Sequence, residues 1–367
     1  MPRPIYCQVY PNSVQHNLHV LRRFHPTAKQ YAVVKANAYG HGVARLFSSL
    51  QQADGLALLE IEQAAILRDL GWRKPIVLLE GCFDSRDLEQ ALRLQCDLVI
   101  HEAEQLHLLS AFSASIKKSK FKPQVFLKVN TGMNRLGFDY SQAQQRIDEL
   151  AALVELLKLP KPVLMTHYAN ADVLDHHPLL SVQAQHAHMQ QLHYFDWLTS
   201  FGNSATCLNW PQFAGDIVRP GISIYGASPG PKAAFQYGLK PAMGLLSAIL
   251  SLQPISRGQS VGYGSRYVAA ENKLIAVVAC GYADGYPRHA PDGTPVWVSG
   301  TMCQLVGRVS MDLLAIDVTG LPKVAIGDLV ELWGENLPVD MVANACGTVG
   351  YELLCAVTAR VPFQVVL

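Results

Sequence analysis

The sequence lacks long apolar runs, strong charge and paired cysteines. No stretch reaches eighteen uninterrupted apolar residues, and Met1–Ile5 show neither the apolar core nor the cleavage site of a signal peptide. We therefore expect a cytoplasmic protein without a membrane partner. The formal net charge of +1 argues against a nucleic-acid partner. The eight cysteines contain no Cys-x-x-Cys pair, so they predict neither a zinc site nor a disulfide framework.

The composition of the chain indicates a large folded core. Hydrophobic residues make up 50% of the 367 positions and charged residues 16%, which is typical of globular proteins. A chain of this length usually forms more than one domain, so we expect one large domain and one smaller one.

The first two-thirds of the chain repeats one pattern: a short apolar run, a turn and an amphipathic stretch with helical spacing. Strands that alternate with crossover helices form a parallel sheet, and eight such units predict an α/β fold closed into a (β/α)8 TIM-type barrel. Functional residues of such a barrel lie at the carboxyl ends of its strands. The predicted strands are 31–34, 55–59, 76–79, 97–100, 125–129, 163–166, 206–208 and 217–225, and the predicted helices are 61–70, 85–94, 103–113, 140–157 and 181–201.

The pattern changes after the Pro-Gly-Pro turn at 229–231. Short alternating or β-branched runs, separated by glycine and proline, then indicate a mostly antiparallel β domain with one helix at 339–345. We predict a barrel domain at residues 1–235, whose first residues could pack on the other domain, and a mainly β C-terminal domain at 236–367. The predicted strands of the second domain are 245–252, 274–279, 295–298, 313–318 and 328–333.

One motif near the N-terminus suggests a reactive amine. In residues 33–42, Val-Val-Lys-Ala-Asn-Ala-Tyr-Gly-His-Gly, an apolar run ends at Lys35 and a Gly-His-Gly turn follows. A lysine partly withdrawn from water loses some of its preference for the charged form and becomes a usable nucleophile. The alternative is a lysine that extends from a strand end into solvent, which is common. The motif closely resembles the pyridoxal-phosphate attachment site of alanine racemases, and this resemblance implies that Lys35 carries the cofactor.

A second segment resembles the same family. Residues 126–137 place Lys128 inside an apolar strand and Arg135 in the following loop; taken alone, this is a strand and a turn with an exposed arginine. The resemblance implies that Arg135 reaches the cofactor and the substrate side, and that Lys128 carries a carbamate that orients it. Asn130 stands where an aspartate is usual in the family, which changes the local charge.

A histidine and an arginine form the next pair. His167 follows an apolar run, and Arg219 lies in Val-Arg-Pro-Gly-Ile-Ser at 218–223. This pattern alone is typical of a core histidine with satisfied hydrogen bonds. The resemblance implies that His167 hydrogen-bonds Arg219, which faces the pyridine nitrogen of the cofactor. Because an arginine stays protonated, it gives that nitrogen no proton, so the cofactor is a weaker electron sink and racemisation is favoured over transamination.

The phosphate of such a cofactor is bound by backbone amides and hydroxyls. Barrel enzymes place these groups after the last two strands, where residues 203–204 and 221–222 lie. A Gly-Ile pair after proline is by itself more often a simple turn. The resemblance assigns cofactor and phosphate binding to Tyr39, Asn203, Ser204, Gly221, Ile222 and Tyr351.

The β domain contains a tyrosine between two glycines, Tyr263. Most such tyrosines only pack at the surface, and a phenol, with a pKa of about 10, needs a tuned environment to act as a base. The resemblance implies that Tyr263 is a second catalytic base, on the opposite face of the substrate from Lys35, and that it acts across the interface of a homodimer. Tyr282 and Met311 match positions that contact the substrate. The positions that match the entrance are Asp172, Arg288 and Arg308.

The matching motifs run in family order from Val33 to Tyr351. They imply an alanine racemase that uses pyridoxal phosphate and no metal, and that supplies D-alanine for peptidoglycan or catabolises it. A racemase for another small amino acid such as serine remains open. So does a non-catalytic pyridoxal-phosphate-binding protein, although such relatives consist of the barrel alone. Related decarboxylases place a glutamate at the pyridine nitrogen, which Arg219 argues against, and a barrel without a cofactor is the last alternative.

Overall fold

The computed structural model describes residues 3–174 and 180–367. The remaining residues, 1, 2 and 175–179, belong to the predicted first domain and lie outside this description. In the described part, one large sheet forms in each half of the chain, and a two-stranded ribbon accompanies the second. The first strand, β1 (Tyr6–Val9), pairs with the second sheet, and the strands of the first sheet come after it in the chain.

The first sheet is a barrel of short, buried, parallel strands. Its members are β2 (Lys29–Val33), β3 (Gly55–Leu58), β4 (Ile76–Leu78), β5 (Asp97–Ile100), β6 (Val125–Asn130), β7 (Phe138–Asp139), β8 (Val163–Met165), β9 (Leu198–Ser200) and β10 (Ile217–Val218). The order is β10-β2-β3-β4-β5-β6-β8-β9, with β7 beside β6. The Ser200 hydroxyl donates to the Ile217 carbonyl at 2.7 Å, which links β9 to β10. The predicted (β/α)8 TIM-type barrel is therefore confirmed.

Helices connect the strands, and some of them bury a clear apolar side and begin at a polar capping residue. In the segment 85–93, for example, Leu88, Ala91 and Leu92 are buried, and the Asp84 carboxylate caps the start by accepting from the backbone N–H groups of residues 86 and 87. The helices are α1 (Pro11–Phe24), α2 (Lys35–Tyr39), α3 (Phe47–Leu50), α4 (Ile61–Asp69), α5 (Ser85–Arg93), α6 (Ala103–Ala111), α7 (Ser113–Lys118), α8 (Tyr140–Leu157), α9 (Val182–Gln191) and α10 (Ser204–Asn209).

The last two barrel strands differ from the prediction. Residues 206–208, predicted as the seventh strand, lie in α10, because the Asn203 side chain accepts from the Thr206 N–H at 2.8 Å and starts a helix there. The seventh strand is β9, which the prediction had placed inside a helix at 181–201. The eighth strand ends at Val218, since the Pro-Gly pair after Arg219 interrupts it and a 3₁₀ turn follows at Ile222–Tyr225.

The second sheet is mostly antiparallel and closes on itself. Its order is β14-β17-β16-β15-β18-β11-β1-β19, and β14 also pairs with β11. The predicted β domain is thus confirmed, and β1 does pack on it; the division at 235/236 stays a prediction. The elements are β11 (Met243–Ile255), β12 (Ser260–Val261), β13 (Tyr267–Val268), β14 (Lys273–Val278), β15 (Pro295–Val298), β16 (Thr301–Leu305), β17 (Leu314–Asp317), β18 (Leu329–Trp333), α11 (Val339–Ala345), α12 (Gly350–Ala356) and β19 (Phe363–Val365), where β12 and β13 form the separate ribbon.

Two kinds of feature are absent from residues 3–174 and 180–367. None of their helices has the length and apolar character needed to span a bilayer. They also contain no group of three or more histidine, cysteine, aspartate or glutamate side chains arranged to hold a metal ion.

Candidate active site

A cavity of about 830 Å³ opens at the carboxyl ends of the barrel strands. Its volume is that of a pocket for a small molecule or a cofactor. All ten residues that the sequence analysis assigned to the cofactor line it: Lys35, Tyr39, Arg135, His167, Asn203, Ser204, Arg219, Gly221, Ile222 and Tyr351.

Lys35 and Tyr39 reach the cavity from the two ends of a left-handed turn. The φ angles of residues 36–39 lie between 51° and 57°, so the label α2 covers a turn of the opposite hand to an ordinary helix. This conformation costs L-residues roughly 1–2 kcal/mol each, and other contacts must hold it. One is the Asn37 side chain, which accepts from the Val43 N–H at 2.9 Å. Strain of this kind is characteristic of functional sites.

His41 holds the same turn, a role that the sequence analysis did not identify. It is fully buried, and its Nδ1 lies 2.9 Å from the carbonyl oxygens of both Ala38 and Tyr39, so Nδ1 carries the donated proton. Burial lowers the pKa of the ring to about 4, which keeps it neutral near pH 7. The ring stacks on Tyr225 at 4.6 Å. The sequence feature that could have indicated this role is its position between two glycines, six residues after Lys35.

Hydroxyls and amides converge at one end of the cavity. The Ser204 Oγ accepts from the Gly221 N–H at 2.8 Å and from the Ser223 hydroxyl at 2.9 Å. The Tyr39 hydroxyl lies directly against Gly221, because a Cβ at that position would be 2.5 Å from it. Ile222 follows in the same turn. Such a group of neutral donors is the kind of cradle that binds a phosphate.

Arg219 lies just after β10 and is 4% exposed. One of its terminal nitrogens donates to the Ser200 carbonyl at 2.7 Å and to the hydroxyl of the same serine, and the other donates to the Thr166 carbonyl at 2.9 Å. The ion pairs found in residues 3–174 and 180–367 do not include Arg219. Burial lowers its pKa to about 10, so the guanidinium is still protonated at neutral pH.

His167 is bonded differently from the expectation. Its Nε2 lies 3.1 Å from the Asn203 Nδ2, whereas the hydrogen bonds of Arg219 go to Ser200 and Thr166. The Asn203 oxygen is already engaged in capping α10, so its amide nitrogen faces the ring and makes Nε2 the acceptor. Burial, followed by the neighbouring cations, lowers the pKa of His167 well below its ordinary value, and the ring is neutral. The expected His167–Arg219 hydrogen bond is therefore wrong.

The charged lining of the cavity favours an anion. Lys128 is 6% exposed, and burial together with the positive charges of Arg219 and Arg135 lowers its pKa to about 8. Cations exceed carboxylates in the lining, and a cavity with this balance attracts anionic groups. The four cationic and two carboxylate side chains are Lys35, Lys128, Arg135 and Arg219, and Glu80 and Asp172.

The loop that carries Arg135 is organised by Asn130. The Asn130 Oδ1 accepts from the backbone N–H groups of Gly132 and Asn134, each at 3.0 Å, and its Nδ2 donates to the Asn134 Oδ1 at 2.9 Å. A carboxylate at position 130 could accept the first two bonds but could not donate the third. The amide of Asn130, which is uncharged, thus ties this residue to Asn134 as well as to the loop backbone.

Glu80 and Cys355 are among the lining residues that the sequence analysis did not assign to the site. Glu80 lies two residues after the end of β4 and lines the cavity; the rule that functional residues follow barrel strands would have identified it. Cys355 also lines the cavity. It lies four residues after Tyr351 in α12, hence on the same face of that helix, but α12 itself was not predicted.

Tyr351, in α12, lines the cavity, but the other three site residues from the β domain do not. Tyr263 is 70% exposed, Tyr282 37% and Met311 53%. Arg288 and Arg308, assigned to the entrance, are exposed as well. None of these side chains belongs to the cavity lining that contains Lys35. They are exposed on the β domain of the single chain, where a second copy of the chain would have access to them.

The fold and the cavity define the class of two-domain barrel enzymes with an antiparallel β domain. Comparisons with known proteins agree in both domains. The family model "Alanine racemase, N-terminal domain" matches residues 9–229, and "Alanine racemase, C-terminal domain" matches residues 242–365. The chain belongs to the alanine racemase family, whose members are isomerases.

Individual relatives cover the whole chain. An alanine racemase of Janthinobacterium sp. (strain Marseille) is 46% identical over 98% of both chains, and one of Burkholderia mallei (strain SAVP1) is 44% identical over 99% of both. The biosynthetic alanine racemase of Pseudomonas aeruginosa has a similar crystal structure, with a TM-score of 0.92 and 43% identity over 100% of both chains. The alanine racemase of Acinetobacter baumannii also has a TM-score of 0.92, at 37% identity, over 99% of this chain and 100% of that one.

Proposed function

We propose that this chain interconverts L-alanine and D-alanine with pyridoxal phosphate bound in the barrel cavity. The observation that carries the proposal is the combination, in one cavity, of Lys35, a cradle of neutral donors and a buried arginine without a carboxylate partner among the described residues. The proposed place of the reaction is the cytoplasm, where D-alanine is supplied for peptidoglycan or catabolised.

The residues present fit this cofactor. Its phosphate suits the cradle of Tyr39, Ser204 and Gly221, and the excess of cations suits its negative charge. Lys35 would hold it covalently through its amine. Pyridoxal phosphate held there would supply an electron sink for the amino acid, which would make the α-proton acidic.

Two bases would then act on opposite faces of the α-carbon. The Lys35 amine takes or gives the proton on the D-alanine face, and the partner subunit's Tyr263 does the same on the L-alanine face. The 70% exposure of Tyr263 in one chain supports this division, because a catalytic tyrosine in its own subunit should lie in the cavity. A homodimer follows from the proposal, since each active site draws on both copies.

Arg219 would influence where the proton removed from the α-carbon returns. With a pKa of about 10 it keeps its own protons near pH 7, and it would transfer none to the ring nitrogen of the cofactor. Return of the proton to the α-carbon is thereby favoured, which is racemisation rather than transamination. Lys128, whose pKa of about 8 leaves part of its amine neutral, is the proposed site of a carbamate that would place a negative charge near Arg135.

Replacement of Gly221 by alanine should weaken cofactor binding. The new Cβ would lie 2.5 Å from the Tyr39 hydroxyl and displace it from the cradle. Overpacking of this size costs about 1–3 kcal/mol, which corresponds to a loss of roughly tenfold or more in affinity for pyridoxal phosphate. Titration of the cofactor-free protein, followed by visible absorbance, measures the effect.

The matched control is Gly244→Ala. Its Cβ would also approach a tyrosine hydroxyl, that of Tyr10 at 3.0 Å, but in the β domain away from the cavity. We expect unchanged affinity for the cofactor in this variant. Equal affinity of Gly221→Ala and the wild type would contradict the assignment of the cradle.

The proposal is tested by incubating the purified, cofactor-loaded protein with L-alanine and, separately, with L-serine, followed by chiral analysis. D-alanine should form much faster than D-serine. Faster formation of D-serine would leave the mechanism standing and change the substrate. Formation of neither product, with cofactor bound, would favour the non-catalytic binding protein instead.

A further inference from the structure

The loop that carries Tyr282 is anchored by a buried carboxylate that the proposed reaction does not use. Asp284 has no exposed surface. Its Oδ1 accepts from Arg3 at 2.6 Å and from the Arg360 Nε at 2.7 Å, and its Oδ2 accepts from the Gly281 N–H at 2.9 Å. Burial raises the pKa of this carboxyl, but the hydrogen bonds from the two arginines outweigh burial and lower it, so Asp284 is ionised.

The same two arginines reach the loop that carries Met311. Arg360 pairs through its other nitrogen with the Asp312 carboxylate at 2.6 Å, and Arg3 donates to the Asp312 carbonyl. Arg3 and Arg360 come from the two ends of the chain. The loops at 281–285 and 310–312 are therefore joined by ion pairs that neither loop could form alone.

Backbone contacts join the two loops even more closely. The Tyr282 N–H donates to the Ser310 carbonyl and the Ala283 N–H to the Met311 carbonyl, each at 3.0 Å. Gly281 permits this approach, since a Cβ there would lie 2.3 Å from the Ser310 oxygen. On the opposite side, the Thr358 hydroxyl donates to the Ala283 carbonyl at 2.8 Å.

These contacts hold the two loops together beneath the exposed side chains of Tyr282 and Met311. Tyr282 and Met311 are 37% and 53% exposed, while the backbone of both loops and the Asp284 carboxylate beneath them are hydrogen-bonded. An ion-pair cluster around a buried carboxylate is weak as a source of stability, because desolvation offsets its Coulomb energy, but it does fix geometry. A function in positioning explains this arrangement better than a gain in stability does.

We infer that Asp284 is a positioning residue that holds Tyr282 and Met311 for the active site of the partner subunit. The inference rests on the proposed function, in which these two side chains contact substrate bound to the other copy. Asp284 contacts neither the cavity nor substrate itself. Its effect on the reaction is therefore exerted in the partner, through the two loops it joins.

The first test is Asp284→Asn in the cofactor-loaded enzyme. Loss of one charge loosens both arginines, so we expect KM for alanine to rise roughly tenfold, with a smaller change in kcat, since a misplaced contact residue weakens binding. Visible absorbance of the bound cofactor should not change, because the cavity is built from other residues. A KM equal to that of the wild type would overturn the inference.

A second variant and a control distinguish a loss of positioning from misfolding of the Asp284→Asn protein. Arg360 is 41% exposed in its side chain, so Arg360→Gln removes half of the cluster without burying an unpaired charge; it should raise KM in the same direction. Lys273→Gln breaks an ion pair with Asp317 elsewhere in the β domain and should leave KM unchanged. An equal rise in KM in the Lys273 variant would show a general effect of lost ion pairs and contradict a specific role.

A mixed dimer decides between action in the partner and action within one chain. Differently tagged Asp284→Asn and Lys35→Ala chains are co-expressed and the mixed dimer is purified. Its one site with an intact Lys35 receives Tyr282 and Met311 from the chain with an intact Asp284. We expect wild-type KM and about half the wild-type kcat per dimer; the raised KM of the Asp284→Asn homodimer would refute the inference.

Failure of this inference is distinguishable from failure of the proposed function. If the wild-type enzyme does not racemise alanine at all, the proposed function fails before any variant is compared. If the wild type is active and the mixed dimer keeps the raised KM, the function stands and only the role of Asp284 is wrong.

Discussion

Lys35→Ala should abolish racemisation and the visible absorbance of bound cofactor together. Lys35 is the only residue of the proposal that both attaches the cofactor and moves a proton, so its loss removes two functions at once. Loss of a covalent catalytic residue commonly lowers kcat by roughly 10⁴-fold or more. Absorbance spectra of the purified variant, after addition and removal of pyridoxal phosphate, and a racemisation assay measure the two effects.

The control for this variant is Lys29→Ala. Lys29 begins β2, the strand that ends two residues before Lys35, and is exposed at the far end of that strand, so a lysine is lost from the adjoining element without any effect on the cavity. Its spectrum and activity should equal those of the wild type. A Lys35→Ala protein that kept the absorbance of covalently bound cofactor would show that another amine holds it, and Lys128, in the same cavity, would be examined next.

Tyr263→Phe should separate the two directions of the reaction. The change removes only a hydroxyl, and removal of a general base lowers rates by roughly 10²–10⁴-fold. Exchange of the α-proton of L-alanine for solvent deuterium should fall by this factor, whereas exchange from D-alanine, which uses Lys35, should fall much less. Mass spectrometry of each enantiomer, recovered early in the reaction, gives both rates.

A tyrosine nearby supplies the comparison. Tyr267 begins β13, just after the turn that carries Tyr263, and pairs with Val261; Tyr267→Phe should leave both exchange rates unchanged. Equal loss of exchange from L-alanine and D-alanine in Tyr263→Phe would argue for a single base that serves both faces. It would also remove the main argument for an active site shared between subunits.

The sequence predicted the regular elements of this fold well where local pattern determines them. The limits of β5, α8, β15 and α11 are the predicted ones, because each has a clear apolar period and clear ends. The predictions failed where a capping residue or a contact with a distant segment determines the secondary structure. Residues 206–208 contain a β-branched residue in an apolar run, yet the Asn203 cap and burial in the barrel place them in a helix.

The cavity lining was predictable for a different reason. The resemblance to the alanine racemase family identified the residues. They converge because nearly all of them follow a barrel strand, and the carboxyl ends of the strands meet at one end of the barrel. Bonds between distant segments were not predictable. The Asn203–His167 hydrogen bond spans 36 positions, and the Arg3–Asp284 pair spans 281. No local period or motif encodes such partners, and they emerge only when the chain ends and the loops are placed in space.

The central claim, a proton exchanged on opposite faces by two different groups, is tested most directly by the first turnovers of L-alanine in deuterated water. If Lys35 and the partner subunit's Tyr263 act as separate bases, D-alanine formed early should carry deuterium at the α-carbon in nearly every molecule, because the group that delivers the new proton exchanges with solvent. D-alanine that retains the original protium in a large fraction of molecules would show that one base carries the proton across, and would contradict the account.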